Sequence, residues 1–267
     1  MHPVLLNLGP ITIHTYGFLI ALGFLSAVWL NKRLAVASQI NPDRMIDLTF
    51  WCLISGFVGA RILFIITRLS YFLADPVSML RVWEGGLVFW GGPLVALPVG
   101  IYYIKKHKMP LWKTMDVAIT GLVIGHAFGR VGCFFAGCCY GKPTGSSWGV
   151  VFHSDLVDQH LLGIPLHPTQ LYESTALFIL LAGLLSVFRR RQFDGQVVLT
   201  YFMAYPIIRS IIEIYRGDVI RGFVIQDVLS TSQFISILVF LSAAFALIYR
   251  LKQVRQQPQT LLKGARA

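Results

Sequence analysis

Long apolar stretches separated by short polar links dominate the chain. A helix needs roughly 20 apolar residues to cross about 30 Å of hydrocarbon. Stretches of this kind fall at residues 11–31, 46–67, 85–104, 116–137, 172–188, 195–215 and 230–249. The pattern predicts an all-α, polytopic integral membrane protein of about seven transmembrane helices, here called spans one to seven. We expect one membrane domain over 1–252, with long outer connections at 68–84 and 138–171, and a polar, basic cytoplasmic tail at 253–267.

Composition and charge agree with this class and predict an orientation. Hydrophobic residues make up 55% of the chain and charged residues 13%, and the mean hydropathy is +0.66. Fifteen of the 23 lysines and arginines lie in the links after spans one, three and five and in the tail, against five in the opposite links. Because short cytoplasmic loops are rich in these residues, the amino terminus is expected outside and the carboxyl terminus in the cytoplasm. The net charge of +11 is spread over four membrane-flanking segments, which argues against a nucleic-acid partner.

Span six carries a polar stripe on an apolar helix. Its members recur at spacings of four, four and three residues and so share one helical face: Tyr205, Arg209, Glu213 and Arg216. In a purely structural interpretation, Glu213 neutralises both arginines and Arg216 extends to the outer headgroups. Arg209 lies about two turns below the outer end, where an unpaired guanidinium costs several kcal/mol and usually marks a substrate path.

Two further spans place arginines at a similar depth. Span four has small residues at every fourth position, which suit close helix packing: Gly121, Gly125 and Gly129. Arg130 follows, with His126 one turn before it on the same face, and Arg61 lies in span two. Gathering cations in hydrocarbon requires a shared anion, and a forked guanidinium fits a phosphate with two parallel hydrogen bonds. A phospholipid phosphate is the natural anion at that depth.

Glycine pairs open span three at Gly85–Gly86 and Gly91–Gly92. They weaken a helix start and free backbone N–H groups for a ligand, so a re-entrant or broken segment and a glycine-packed helix are both open. The second long outer connection ends in HPTQLYE, where His167 precedes Pro168 and is either a helix cap or a base.

The cysteines suggest no metal site from their spacing. Cys133, Cys138 and Cys139 lack the paired short spacings of a zinc site, and adjacent cysteines chelate one ion poorly. Cys133 is expected to be a small buried hydrophobe, and redox activity of the adjacent pair is an alternative. We therefore expect neither a metal nor a cofactor.

Taken together, these residues resemble the bacterial prolipoprotein diacylglyceryl transferases over nearly the whole chain. Six motifs occur in order: His14, Tyr16 and Gly17 in H-x-Y-G, GAR in span two, R-V-W-E-G-G-L-x-x-x-G-G from Arg81 to Gly92, G-R-x-G from Gly129 to Gly132, HPTQLYE, and Y-x-x-x-R-x-x-x-E-x-x-R in span six. Each motif is weak alone, and their common order is specific.

The resemblance implies transfer of a diacylglyceryl group from phosphatidylglycerol to the lipobox cysteine thiol of a secreted prolipoprotein, with release of glycerol phosphate. It implies that Arg130 and Arg209 stabilise the leaving phosphate, where donors placed in advance are most effective. The candidate catalytic residues are then Arg130, Arg209, Glu213, Tyr16 and His126. The candidate phospholipid-binding residues are Arg130, Arg209, Arg61, Tyr205, Arg216, Gly85, Gly86, Gly91, Gly92, His167 and Glu173.

The chain departs from the family pattern on the thiol side of the reaction. Trp90 stands where well-known members carry a histidine proposed as the base, and an N-x-x-N-G-E run is replaced by residues that include Cys133 and Cys138. Our hypothesis is that the arginine field generates the thiolate, with His126, His167 or Glu173 as relays. Two alternatives remain: a divergent paralogue with another acceptor, and a lipid or anion transporter. The expected location is the bacterial inner membrane, with the site toward the periplasm.

Overall fold

The structure, a computed structural model, describes residues 4–8, 11–81, 85–154, 156–217, 223–225 and 229–264. Within these ranges the helices are α1 (Thr15–Ala37), α2 (Pro42–Thr67), α3 (Leu69–Ala74), α4 (Gly91–Lys106), α5 (Leu111–Ala136), α6 (Thr169–Arg190), α7 (Gln196–Tyr215) and α8 (Thr231–Gly264). Two antiparallel pairs of short strands accompany them: β1 (Val4–Leu8) with β2 (Ile11–His14), and β3 (Phe223–Ile225) with β4 (Leu229–Ser230). Short 3₁₀ turns lie at Pro76–Leu80 and Gln159–Leu161.

The predicted all-α membrane architecture is confirmed. Helices α1, α2, α5, α6, α7 and the Thr231–Val254 part of α8 are each long and apolar enough to cross a bilayer. Helix α4 coincides with span three but has 16 residues, fewer than the roughly 20 that a straight span needs. The number seven and the orientation of the termini stay predictions. The tail is also untested, although the backbone of α8 continues to Gly264.

Residues 31–118 form one of two compact units. Asn41 caps α2, because its Oδ1 accepts hydrogen bonds from the backbone N–H groups of Asp43 (2.9 Å) and Arg44 (3.0 Å). Further along, α2 and α4 pack at glycines: a Cβ on Gly59 would collide with the carbonyl of Gly91, and the reverse holds for Gly91. Gly91 is thus packed within the helix, as one alternative expected, whereas Gly85 and Gly86 precede α4 in left-handed conformations.

The second unit comprises residues 1–30 and 119–267. In it, α1 and α5 approach closely along the predicted ladder of small residues. A Cβ on Gly23 would lie 3.2 Å from the carbonyl oxygen of Gly125, and one on Gly129 would lie 3.5 Å from Cδ1 of Ile20. A Cβ on Gly132, beyond the ladder, would lie 3.0 Å from Cδ2 of Tyr16. Tyr16 therefore packs against Gly132 of α5, which follows Arg130 by two residues in the chain.

The connection between α5 and α6 has its own small core. Its buried members are Tyr140, Phe152, Val157 and Leu166. Single β-bridges join Val150 to Leu166 and Gly141 to Arg216. The connection therefore contacts the carboxyl ends of α5 and α7 and the amino end of α6, where the polar residues lie.

Candidate active site

Glu173, in the second turn of α6, is the centre of a buried polar cluster. Its carboxylate is 1% exposed and its Oε1 lies 3.2 Å from Nη2 of Arg130. The hydroxyl of Tyr205 donates to the same oxygen at 3.1 Å. A buried carboxylate is tolerated only when cations and donors compensate it. Glu173 therefore joins α5, α6 and α7 at one point, and it orients Arg130.

His126 lies one turn before Arg130 on α5, as the spacing predicts. Nε of Arg130 donates to Nε2 of His126 at 3.2 Å, while Oε1 of Glu173 is 3.6 Å from that nitrogen. One ring nitrogen cannot accept from Arg130 and donate to Glu173 at once, and the shorter contact assigns it as an acceptor. In this arrangement His126 is a neutral imidazole that positions Arg130, and its role as a proton relay stays a prediction.

Arg209 and Glu213, one turn apart on α7, form a second ion pair. Nη2 of Arg209 lies 2.5 Å from Oε2 of Glu213. Arg209 is 8% exposed, yet its Nη1 has no hydrogen-bond partner within the described residues. Glu213 Oε2 also lacks a well-aligned bond, so charge rather than hydrogen-bond geometry holds this pair. A buried guanidinium with an unused donor is suited to an incoming anion.

Tyr205 links the two arginines. Its ring stacks on Tyr201 at 5.4 Å between centroids and meets the ring of His126 edge-on at 5.5 Å. Both Arg130 and Arg209 lie within electrostatic reach of its hydroxyl. The predicted stripe thus serves two partners: Tyr205 faces Glu173, and Arg209 faces Glu213.

Arg216 and His167 lie where the connection between α5 and α6 meets the carboxyl end of α7. Arg216 is 6% exposed, which differs from a side chain extended to the headgroups. Its backbone pairs with Gly141, and the N–H of Gly141 in turn donates to the carbonyl of His167 at 2.9 Å. Nδ1 of His167 is 3.1 Å from the hydroxyl of Tyr172. These contacts hold both residues at the connection between α5 and α6, and their binding of substrate stays a prediction.

Arg61, in the other unit, saturates its guanidinium with backbone carbonyls. Its nitrogens donate five hydrogen bonds, of 2.6 to 3.2 Å, to carbonyls of Ser78, Met79, Arg81, Gly85 and Gly86. A guanidinium has five N–H donors in all. Gly85 and Gly86 have φ of +85° and +84°, a conformation that glycine adopts without strain. Arg61 thus organises the connection before α4, and phosphate binding by it or by the four glycines stays a prediction.

Three thiols come together at the carboxyl end of α5, which the spacing did not suggest. The Sγ atoms of Cys133, Cys138 and Cys139 all lie within 4.8 Å of one another. The chain turns back through left-handed conformations at Gly137 (φ +74°) and Cys139 (φ +63°). Hydrogen bonds from the Cys133 and Cys138 thiols lower the pKa of Cys139, and Arg216 and Arg130 lower it further, against the opposing effect of burial.

Comparison with known proteins agrees with the motifs. A model of the family "Prolipoprotein diacylglyceryl transferase" matches residues 3–249. A phosphatidylglycerol–prolipoprotein diacylglyceryl transferase of Clostridium tetani is 34% identical over 96% of this chain and 100% of its own length. The second such transferase of Clostridium perfringens is 34% identical over 97% and 99%, and that of Oceanobacillus iheyensis 30% over 95% and 90%.

Proposed function

The chain belongs to the prolipoprotein diacylglyceryl transferase family, and on that basis we propose that it modifies the lipobox cysteine of secreted prolipoproteins. The donor is phosphatidylglycerol, as in the names of its relatives. The acceptor sulfur forms a bond to the glycerol carbon that carries the phosphate. The C–O bond to phosphate breaks, its electron pair leaves with the oxygen, and the thiol proton ends on the released glycerol phosphate or in solution.

The observation that carries this proposal is the unused donor of Arg209. Negative charge develops on the phosphate oxygen as the C–O bond breaks, so fixed donors near that oxygen stabilise the transition state more than the ground state. Arg209 offers a buried, unpartnered Nη1. Arg130 is 84% buried at its side chain and is held by Glu173 and His126. Neither guanidinium needs to reorganise when the charge appears.

Arg130 and Arg209 each pair with a separate carboxylate, which affects both their charge and their orientation. Glu173 fixes Arg130, and Glu213 fixes Arg209. Without them, two buried cations would repel each other and bind any anion indiscriminately. With them, net charge is balanced before substrate arrives, and orientation rather than charge alone selects a phosphate. Glu213 is thus a positioning residue, as is Glu173.

The protein is a multi-pass membrane enzyme, and its proposed location is the bacterial inner membrane with the site toward the periplasm. Support comes from the bias of basic residues toward the links after spans one, three and five. The polar cluster lies near the opposite ends of α5 and α7 and at the start of α6. Secreted prolipoproteins and the outer leaflet both reach that side.

A defined reaction tests the proposal. Purified protein is incubated with phosphatidylglycerol vesicles and a peptide that carries a lipobox cysteine, with a serine peptide of otherwise identical sequence as control. We expect glycerol phosphate in solution and the diacylglyceryl mass on the cysteine peptide alone. If neither product forms while the protein is folded and the lipid is present, the lipobox acceptor is wrong, and a divergent paralogue with another acceptor takes its place.

A further inference from the structure

The thiols of Cys133, Cys138 and Cys139 form a cluster that the leaving-group chemistry does not use. All three residues are partly buried free cysteines, and their sulfurs lie within 4.8 Å of one another. Tetrahedral zinc has Zn–S bonds of about 2.3 Å, which separates its sulfurs by about 3.8 Å. The observed separations require an inward shift of about 1 Å or less.

The backbone is shaped to direct adjacent cysteines toward one point. In a regular strand, neighbouring side chains point to opposite faces, which is why a vicinal pair chelates poorly. Here the φ of +63° at Cys139 breaks that alternation. Thr169 Oγ1 donates to the carbonyl of Cys139 at 2.8 Å, and Gln170 Nε2 donates to that of Cys138 at 2.7 Å. The first turn of α6 thus supports the turn, as outer-shell residues do in metal sites.

We propose that Cys133, Cys138 and Cys139 bind one soft divalent cation of the zinc class through three thiolates, and that its fourth position accepts the thiol of the incoming acceptor. The second half rests on the proposed transferase function. Three protein ligands and one open position are the pattern of catalytic zinc sites, whereas closed four-ligand sites are structural. Coordination to zinc deprotonates a thiol at neutral pH, so the metal does the work of the base.

The cluster lies on the correct side of the phosphate site. Arg130 is within electrostatic reach of Cys133 and Cys139, and Tyr16 is within reach of all three thiols. Arg216 acts on Cys139. A divalent cation with three thiolates has a net charge of −1, and binding of the acceptor thiolate makes the net charge −2. The guanidinium groups of Arg130 and Arg216 offset this negative charge. Because Cys133 follows Arg130 by three residues on α5, an acceptor thiolate bound at the cluster would lie about one helical turn from the guanidinium proposed to hold the phosphate.

The step balances without an oxidant. The acceptor thiol gives its proton to solvent as it binds the metal, and its sulfur then forms the bond to the glycerol carbon. The carbon–oxygen bond breaks with its electron pair on the phosphate, and the thioether product leaves the metal because it is a weaker ligand than thiolate. This route also explains how the acceptor thiol is deprotonated in a chain that has Trp90 in place of the histidine proposed as the base in the family.

Metal binding is measured first, without lipid or peptide. Reduced, metal-free full-length protein in detergent is titrated with Co²⁺, and the thiolate-to-cobalt charge-transfer band is followed; zinc content is then counted by mass spectrometry. We expect one ion per chain. Cys139→Ser and Cys133→Ser each weaken binding by more than the roughly 10- to 100-fold that losing an outer-shell partner costs. Cys52→Ser, a lone thiol in α2, leaves the titration unchanged.

Three outcomes overturn the site. In the first, no charge-transfer band forms although all the thiols are reduced. In the second, the band persists in the double variant Cys138→Ser/Cys139→Ser, which would place the ion elsewhere. In the third, the protein as isolated contains a disulfide between two of the three cysteines. A further measurement needs no variant and so does not depend on variant folding. We expect Zn²⁺ to protect the three thiols of the wild-type protein from an alkylating reagent.

The activating role is tested separately in the transfer reaction. Chelator-treated protein is expected to lose about 100-fold or more in transfer rate, the lower end of what loss of a general base costs, and to regain it with Zn²⁺. If transfer is unchanged by metal removal, the activating role fails and the transferase function stands. If metal binds with the expected stoichiometry and transfer never occurs, the function fails and the metal site stands.

Discussion

Two arginines of this protein are buried to almost the same degree and have opposite surroundings. Arg61 is 7% exposed and Arg209 is 8% exposed. Arg61 donates to five backbone carbonyls, whereas Arg209 is held by one carboxylate and keeps a buried Nη1 without a partner among the described residues. Burial alone therefore does not identify a functional arginine in a membrane protein. The hydrogen-bond partners of the five guanidinium donors distinguish Arg61 from Arg209.

The difference between the two arginines follows from their neighbours, which are backbone carbonyls for Arg61 and the carboxylate of Glu213 for Arg209. Backbone carbonyls satisfy every donor of Arg61, so an added phosphate would have to displace existing hydrogen bonds. A carboxylate beside Arg209 offsets the charge but does not use all the donors. The guanidinium of Arg61 is thus saturated, and that of Arg209 keeps an unused donor, as our proposal for phosphate binding requires.

Arg209→Ala is expected to have the largest effect. Removing one donor that is preorganised for developing charge costs about 100- to 1,000-fold in kcat, and here it also leaves Glu213 as an unpaired buried carboxylate. The measurement is the rate of glycerol phosphate release at saturating peptide, with elution in detergent as the check of folding. Arg209→Lys keeps the charge but not the fork, so it should recover only part of the loss. Full activity of Arg209→Ala would remove this residue from the phosphate site.

Much of the fold was predictable because it depends on local apolar length. Each predicted span coincides with a helix, and α1 packs on α5 along the predicted small residues. The i to i+4 geometry of a helix also gave the pairing of Arg130 with His126, a contact between neighbouring turns. The short α4 shows the limit: paired glycines in left-handed conformations at 85–86 delay the helix to Gly91.

The contacts that decide roles are long-range and were not predictable. Glu173 was a candidate from its motif, but its contacts with Arg130 and Tyr205, which lie on two other helices, could not be read from the sequence. The thiol cluster depends on the conformation of Cys139, and its C-x-x-x-x-C-C spacing argued against a metal. The partners of Arg61 come from a connection whose path no periodicity encodes. Backbone conformation in loops is the information that the pattern lacks.

Arg61→Lys sharpens the comparison through stability rather than rate. An ammonium has three donors in place of five, so at least two carbonyls lose their partner, at about 1 kcal/mol each. We expect the free energy of unfolding to fall by about 2 kcal/mol, seen as a lower thermal midpoint in detergent, and faster proteolysis between residues 68 and 90. Arg68→Lys, an exposed arginine at the end of α2, is the matched control with a change within about 0.5 kcal/mol. An unchanged midpoint with a large loss of kcat would instead place Arg61 at the phosphate.

Tyr205→Phe is the mildest change and tests whether orientation matters apart from charge. It removes one hydroxyl hydrogen bond to Glu173 and leaves both arginines and the stacked ring in place. A hydrogen bond to a charged group contributes about 1.5 kcal/mol, which corresponds to roughly a 10-fold lower kcat if Glu173 then holds Arg130 less firmly. Tyr201→Phe keeps the same stack, and we expect it to retain the rate of the parent. Because Arg130 keeps its ion pair in Tyr205→Phe, a loss near that of Arg209→Ala would mean that the tyrosine contacts the substrate itself. No loss at all would mean that His126 and Glu173 suffice to orient the guanidinium, and that the hydroxyl only satisfies a buried carboxylate.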